Sequence, residues 1–180
     1  MKKVYVFLAE GFEEMEAVTP VDLLRRVGVD AKLVSVTGDK AVTGAHGITY
    51  QADLLFEEIE DADMLVLPGG MPGTLNLAAD KVVNAFIDYA HKNDKYLAAI
   101  CAAPSVLGGL GLLKEKEATC YPGFEDKLTG AKLSDKKVAV DGKIITARGM
   151  GVSLGFGLAL VEALTDKATA DGLHAAVQAD

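Results

Sequence analysis

Cys101 is the residue in this chain best placed to do chemistry. It follows the β-rich run Tyr96 to Ile100 and precedes an apolar, helix-like segment, and its neighbours Ala99, Ala102 and Ala103 are all small. A nucleophile on a sharp strand-to-helix turn needs small neighbours, because the strained backbone leaves no room for bulk. This is the nucleophile-elbow arrangement with a thiol in place of a hydroxyl. The start of the following helix should favour the thiolate and lower the thiol pKa. The same pattern also suits an inert cysteine packed at a strand end. Cys120, beside Tyr121-Pro122, has no such context.

Two further groups could serve that sulfur. Glu13, Glu14 and Glu16 open a helix-like segment after the first apolar run. Carboxylates there complement the helix macrodipole, which accounts for Glu13 and Glu14 facing water. Glu16 is next to Met15, which the periodicity turns inward. It is therefore either one more helix-start carboxylate or a carboxyl aimed into a cleft, with a raised pKa and a proton to hold or pass. Gly69-Gly70 follows the run Met64 to Leu67, where bare backbone can turn N–H groups toward an oxyanion, or make an ordinary tight turn. No Gly-Lys-Ser/Thr follows, so it is not a phosphate loop. Gly149-Met150-Gly151 misses the dinucleotide fingerprint, because its third glycine falls at 155. His46, His91 and His174 have no metal-ligand spacing and none adjoins Cys101, so all three read as surface residues and no metal is expected.

The elements that must position these groups alternate. Val4 to Ala9, Lys32 to Val36, Met64 to Leu67 and Tyr96 to Ile100 read as strands, most of them apolar on both faces as in a parallel sheet. Glu13 to Val27 reads as a helix with Met15, Val18, Val21 and Leu24 inward, kinked at Pro20 and stopped at Gly28. Lys81 to Lys92 has clear helical periodicity. Ser105 to Leu113 is a helix weakened by glycines, Phe156 to Leu164 marks another, and the segment from Lys167 a last. Ala41 to Gln51 is a small antiparallel hairpin, and Asp141-Gly142 joins a second one. The expectation is an α/β fold, a mostly parallel sheet covered on both faces, in one domain over residues 1–180. Ligands of such sheets bind beyond the carboxyl ends of the strands. That is where Glu10 to Glu16, Pro68-Gly69-Gly70 and Cys101-Ala102-Ala103 converge.

Composition narrows the function classes. With 18 Lys+Arg against 26 Asp+Glu the formal net charge is −8, which repels phosphate backbones and anionic lipid. No nucleic-acid or membrane partner is expected. Two cysteines outside any C-x-x-C make no disulfide framework or zinc site. The six-residue apolar run after Met1-Lys2-Lys3 is too short for a secretory leader and runs straight into glutamates. A cytoplasmic protein is the expectation.

Ala9-Glu10-Gly11-Phe12-Glu13-Glu14-Met15-Glu16, Pro20 to Arg26, Val66-Leu67-Pro68-Gly69-Gly70, Ala98 to Pro104 and Ala147-Arg148-Gly149-Met150-Gly151 together resemble the Parkinsonism-associated deglycase family of the ThiJ/PfpI superfamily. The motifs keep the family's order from Lys3 to about Leu164. The resemblance implies a flavodoxin-like three-layer sandwich that forms a homodimer and needs no cofactor. It implies that Cys101 is the reactive, oxidation-prone cysteine and Glu16 the glutamate at its sulfur. Gly70 and Ala102 would be the backbone donors of an oxyanion pocket, with Gly69, Tyr121 and Arg148 lining the substrate side. Ala102 stands where the protease-like branch carries a histidine, so a Cys-His protease lacks its base. Tyr121 stands where many animal members carry a histidine, and His46 where some carry an arginine.

Two activities follow from the resemblance. In one, the protein is an enzyme acting on small 2-oxoaldehydes or on their early protein adducts, of the glutathione-independent glyoxalase or deglycase type. In the other, it is a redox-responsive chaperone or oxidative-stress sensor whose cysteine is oxidised to the sulfinate. The same residues serve both.

Overall fold

The computed structural model describes residues 1–179. Its first strand, β1 (Lys3–Leu8), is buried from Val4 to Leu8 and leads into helix α1 (Glu14–Arg26). Strand β2 (Asp30–Ser35) returns beside β1. The hairpin β3 (Ala41–Thr43) and β4 (Thr49–Gln51) stands apart as its own two-stranded sheet. Then come β5 (Leu54–Leu55), β6 (Met64–Leu67), α2 (Gly73–Ala79) and α3 (Lys81–Lys92). Strand β7 (Tyr96–Ile100) and α4 (Pro104–Gly109) carry the elbow. The short pair β8 (Glu117–Ala118) and β9 (Lys132–Leu133) precedes the hairpin β10 (Val138–Asp141) and β11 (Ile144–Ala147). Helices α5 (Ser153–Leu164) and α6 (Lys167–Ala176) follow.

The main sheet has the order β10-β11-β7-β6-β1-β2-β5, and every neighbouring pair is parallel except β10 with β11. Alternation along β1 divides the core. Val4, Val6 and Leu8 pack toward α1, α5 and α6, while Tyr5 and Phe7 pack toward α3 and α4. This is the flavodoxin-like three-layer sandwich. Gly157 lets α5 cross α1 closely: a Cβ there would lie 2.6 Å from Leu23 Cδ1 and 3.2 Å from Pro20 Cα.

Several elements differ from the reading of the sequence. Helix α1 buries Val21 and Leu24 as expected, but its first turn faces the other way. Met15 is 52% exposed, whereas Glu14, Glu16, Ala17, Pro20, Val21, Leu23 and Leu24 form the buried face. Met15 and Val18 share helical spacing, but on the outer side. The helix also continues unbroken through Pro20. Helix α4 stops at Gly109 instead of reaching Leu113, and Gly111 follows in the left-handed region at φ +74°. Strand β2 begins two residues early. Helix α2, strand β5 and the β8–β9 pair were not foreseen, because runs of two to seven residues are too short for a periodic signal.

Candidate active site

Strands β1, β6 and β7 lie side by side with β6 in the middle. Their carboxyl ends release the three segments that the sequence singled out. Glu16 comes from the β1 side and Cys101 from the β7 side, so the two do not follow neighbouring strands. They meet across Gly69, which follows β6 and has no side chain to separate them. A Cβ at Gly69 would lie 2.6 Å from Cys101 Cβ and 2.7 Å from Glu16 Oε2.

Cys101 is held in the left-handed region at φ +64°. For a residue with a Cβ this costs about 1–2 kcal/mol, and the surrounding bonds must enforce it. Its N–H donates to Ala147 O at 2.9 Å, and its carbonyl accepts from Tyr121 N–H at 2.8 Å. β11 and the Tyr121 loop thus grip the elbow from both sides. The residue is half-buried, and the N–H groups of Ala102 and Gly70 favour the charged form of its sulfur. Gly70 can do this because it sits at φ +88° with its Cα against the Gly11–Glu13 backbone, where a Cβ would strike Glu13 N.

Glu16 is 0% exposed. Its N–H donates to the Glu13 carboxylate at 2.8 Å, which caps α1, and its Oε2 accepts from Gly69 N–H at 2.8 Å. The Gly69 N–H is therefore committed to Glu16, leaving Gly70 and Ala102 as donors toward the sulfur. Glu16 Oε1 is buried with no hydrogen-bond partner, a rare condition for a carboxylate oxygen. Burial pushes the Glu16 carboxyl up to about 7, aided by the charge of Glu13 and opposed by Gly69 N–H and the Cys101 thiol.

The thiol departs from the expectation. Burial, and then the ionised Glu16, push Cys101 up to about 12, and the N–H groups of Ala102 and Gly70 only partly offset this. The helix N-terminus does not lower it because α4 starts three residues later and is six residues long, and the dipole's effect fades within a turn. Cys120 is 4% exposed and is likewise pushed up, to about 11, by burial.

Tyr121 stands over the elbow with its ring against Gly149: a Cβ at Gly149 would lie 3.2 Å from Tyr121 Cδ2 and 3.9 Å from Cys101 Sγ. Tyr121, Gly149, Arg148 and Met150 line an open depression beside the sulfur. Glu14, expected in water, is buried at 3% exposure. Its carboxylate accepts from His46 N–H at 2.8 Å and faces His46 Nδ1 at 3.0 Å, fastening the β3–β4 hairpin to α1. No signal in the sequence linked these two residues. Glu13, Glu14 and His46 bring ligand-type atoms within 4.8 Å of one another, but these atoms are already engaged in the bonds just described.

The site therefore joins a strained cysteine, one shielded carboxyl and two backbone donors. No imidazole of the described residues figures among the groups that act on the sulfur. Among the described residues, no helix is long and apolar enough to cross a membrane.

Comparison with known proteins places this arrangement. The DJ-1/PfpI family profile matches residues 2–163. The chain is 41% identical over 170 residues to Protein DJ-1 homolog B of Arabidopsis thaliana, covering 92% of this chain and 39% of that one. It therefore spans less than half the length of that relative. It is 34% identical to the Parkinson disease protein 7 homolog of Danio rerio, covering 91% of this chain and 89% of the other. A deglycase of Thermococcus kodakarensis is 33% identical, with 83% and 91% covered. An oxidized DJ-1 of Toxoplasma gondii superposes with a TM-score of 0.96 at 34% identity, with 99% of each chain covered.

Proposed function

The chain belongs to the DJ-1/PfpI family, and on that premise we propose that it is a cysteine-dependent, cofactor-free enzyme acting on small 2-oxoaldehydes or their early protein adducts. The observation that carries this reading is the meeting of Cys101 and Glu16 across Gly69. A thiol pushed up to about 12 is not a thiolate at neutral pH, so it needs a base, and Glu16, pushed up to about 7, is the group at hand.

The steps then balance. Cys101 sulfur adds to the aldehyde carbon as its proton passes to Glu16, and the carbonyl oxygen becomes an oxyanion facing Gly70 and Ala102 N–H. Protonation of that oxygen gives the hemithioacetal and returns Glu16 to the carboxylate. Glu16 removes the proton from the former aldehyde carbon and delivers a proton to the neighbouring carbon, while the hemithioacetal hydroxyl gives up its proton and the ketone oxygen takes one up, leaving a 2-hydroxyacyl thioester. Water hydrolyses the thioester, releasing the 2-hydroxy acid and the free thiol. Deglycation would begin with collapse of the hemithioacetal or aminocarbinol, its C–S or C–N bond breaking to release the side-chain thiol or amine and the free aldehyde, to which Cys101 then adds as above. Lactate formation from methylglyoxal without glutathione, in wild type and Cys101→Ala, tests the reading. No lactate from wild type would sink it.

The oxidized relative favours a second reading, in which Cys101 is a redox sensor. A sulfinate there would be held by the Gly70 and Ala102 N–H groups and by protonated Glu16. Peroxide titration followed by intact mass, with lactate formation absent, would favour it. The proposal also includes a homodimer, supported by the exposed Met15 and Leu154 and by the open Gly151 just before α5.

A further inference from the structure

Most cations in this chain are paired. Of 18 lysine and arginine side chains, 13 lie within ion-pair distance of a carboxylate among the described residues. Arg25 and Arg26 are among them, with Asp53 and Asp22. Arg148 is the one arginine that makes no ion pair among the described residues. Glu125 and Asp135 line a small pocket with it near Cys120, yet neither reaches it, and Glu125 instead accepts from Gly123 N–H at 2.7 Å.

Arg148 stands opposite another unpaired cation. Its N–H donates to Lys137 O at 3.1 Å, which extends the β10–β11 ladder one step beyond Val138–Ala147. Residues directly opposite on antiparallel strands project to the same face, and like charges in that position repel. In a chain of net charge −8 carboxylates to relieve that repulsion are plentiful, yet among the described residues Glu125 and Asp135, which share a pocket with Arg148, form no ion pair with it. Both residues line the open depression that also contains Tyr121, Gly149 and Met150. Gly149 adjoins the reactive sulfur, since its Cβ position lies 3.9 Å from Cys101 Sγ. Neither cation acts on the thiol itself, so an anion held by them sits farther out than the reacting carbon.

We propose that Lys137 and Arg148 form an anion subsite beside Cys101, which selects carbonyl substrates bearing a carboxylate or phosphate a few carbons from the reacting aldehyde. This rests on the enzymatic reading above for the word substrate, but not for the subsite. A three-carbon oxoaldehyde attached to the sulfur ends near Gly149. Arg148 directly precedes Gly149, and its charge acts on Cys120 but not on Cys101, so an anion that it grips belongs a few carbons beyond the reacting one. The Arg148 guanidinium can grip such an anion in bidentate fashion, and Lys137 adds a point charge.

Two measurements separate the subsite from the activity. The first, in a Cys120→Ala background, compares alkylation-independent thiol exchange at Cys101 by dithiobis(nitrobenzoate), a dianion, and dithiodipyridine, which is neutral. The ratio of the two rates should fall about threefold for Lys137→Gln and again for Arg148→Gln, and further for Lys137→Glu. It should also fall with added salt in wild type. Lys137 is exposed, so the Lys137→Glu result stands even if Arg148→Gln disturbs the fold. Lys92→Gln removes a charge at the opposite end of the sheet and should leave the ratio unchanged. A ratio indifferent to both Lys137 variants overturns the subsite. The second measurement compares kcat/KM for a five-carbon 2-oxoaldehyde ending in a carboxylate and for its methyl ester. Wild type should favour the acid, and the Lys137 and Arg148 variants should lose that preference. Equal use of acid and ester by wild type overturns the substrate selection. A shifted exchange ratio with no turnover of either compound retains the subsite and rejects the enzymatic reading.

Discussion

Glu16→Gln should stabilise the fold, and by an amount that grows with pH. A carboxyl titrates at 4.5 in the unfolded chain and at about 7 in the folded one. Below 4.5 it is protonated in both states and carries no penalty. As pH rises toward 7 the unfolded state gains the charge first, so stability is lost, and above 7 the full penalty applies. One pKa unit is about 1.4 kcal/mol, so the ionised carboxylate costs the folded state about 3 kcal/mol. Glutamine has nearly the same shape and no charge. Its amide oxygen can accept from Gly69 N–H as Glu16 Oε2 does at 2.8 Å, and its amino group takes the position of the unpartnered Oε1. The stability gap between variant and wild type should therefore widen by about 2.5 kcal/mol between pH 5 and pH 8. For a chain of this size that is about 5–10 °C in Tm. Thermal unfolding of both proteins at the two pH values measures it, and subtracting wild type removes groups common to both. A gap that stays constant within about 2 °C would refute the idea that Glu16 is a carboxyl pushed up by burial.

The same pair should show itself at the thiol. Because the charge of Glu16 helps push Cys101 up to about 12, Glu16→Gln should lower the thiol pKa, read as thiolate absorbance near 240 nm against pH; a rise would reverse the assigned sign. Gly69→Ala inserts a methyl 2.6 Å from Cys101 Cβ and should cost about 1–3 kcal/mol while cutting turnover at least tenfold, so wild-type lactate formation by a folded variant would count against the contact. Turnover in wild type should rise with pH through about 7 as Glu16 becomes a base, and a flat profile from pH 6 to 8 would remove Glu16 from that role. Limiting iodoacetamide should label half-buried Cys101 before Cys120, which is 4% exposed, as peptide mapping will report.

Long periodic segments were legible in the sequence, and helix Lys81–Lys92 and strand Tyr96–Ile100 fall where their patterns put them. The convergence of three strand-end segments was legible too, because parallel sheets gather their carboxyl ends. The order of the strands was not. Nothing local distinguishes a neighbour from a strand one place removed, so the interposition of β6, and with it the meaning of Gly69, appeared only in three dimensions. Helix phase failed at Met15 because the inner face of α1 carries two carboxyls, Glu14 and Glu16, and a hydrophobic pattern assigns such residues to water. Burial of both is tolerated because each meets specific donors, Gly69 N–H for one and His46 for the other. The thiol pKa was misjudged for a related reason. Helix position can be read from sequence, but the desolvation and neighbouring charge that outweigh it cannot.

The elbow also determines how the site must divide its work. Cys101 and Glu16 are both disfavoured as anions by burial, and each disfavours the charge of the other. The pair therefore gives up its first proton at about pH 7, from Glu16, and keeps the second on sulfur. A substrate carbonyl entering between the sulfur and the Gly70 and Ala102 N–H groups offers that charge a better place, on an oxygen facing two donors. Attack then moves charge out of the buried pair, so the destabilised carboxylate becomes part of the driving force for addition. A conventional cysteine–imidazole pair would store the charge as a thiolate beforehand. Here the position after Cys101 is Ala102, and the protonated sulfur of Cys101, held at φ +64°, has Glu16 as its base. Replacing Ala102 by histidine would introduce a competing base and a larger side chain at a position 3% exposed, and should impair turnover while raising thiol reactivity at neutral pH; improved turnover would show that Glu16 is not the base that matters.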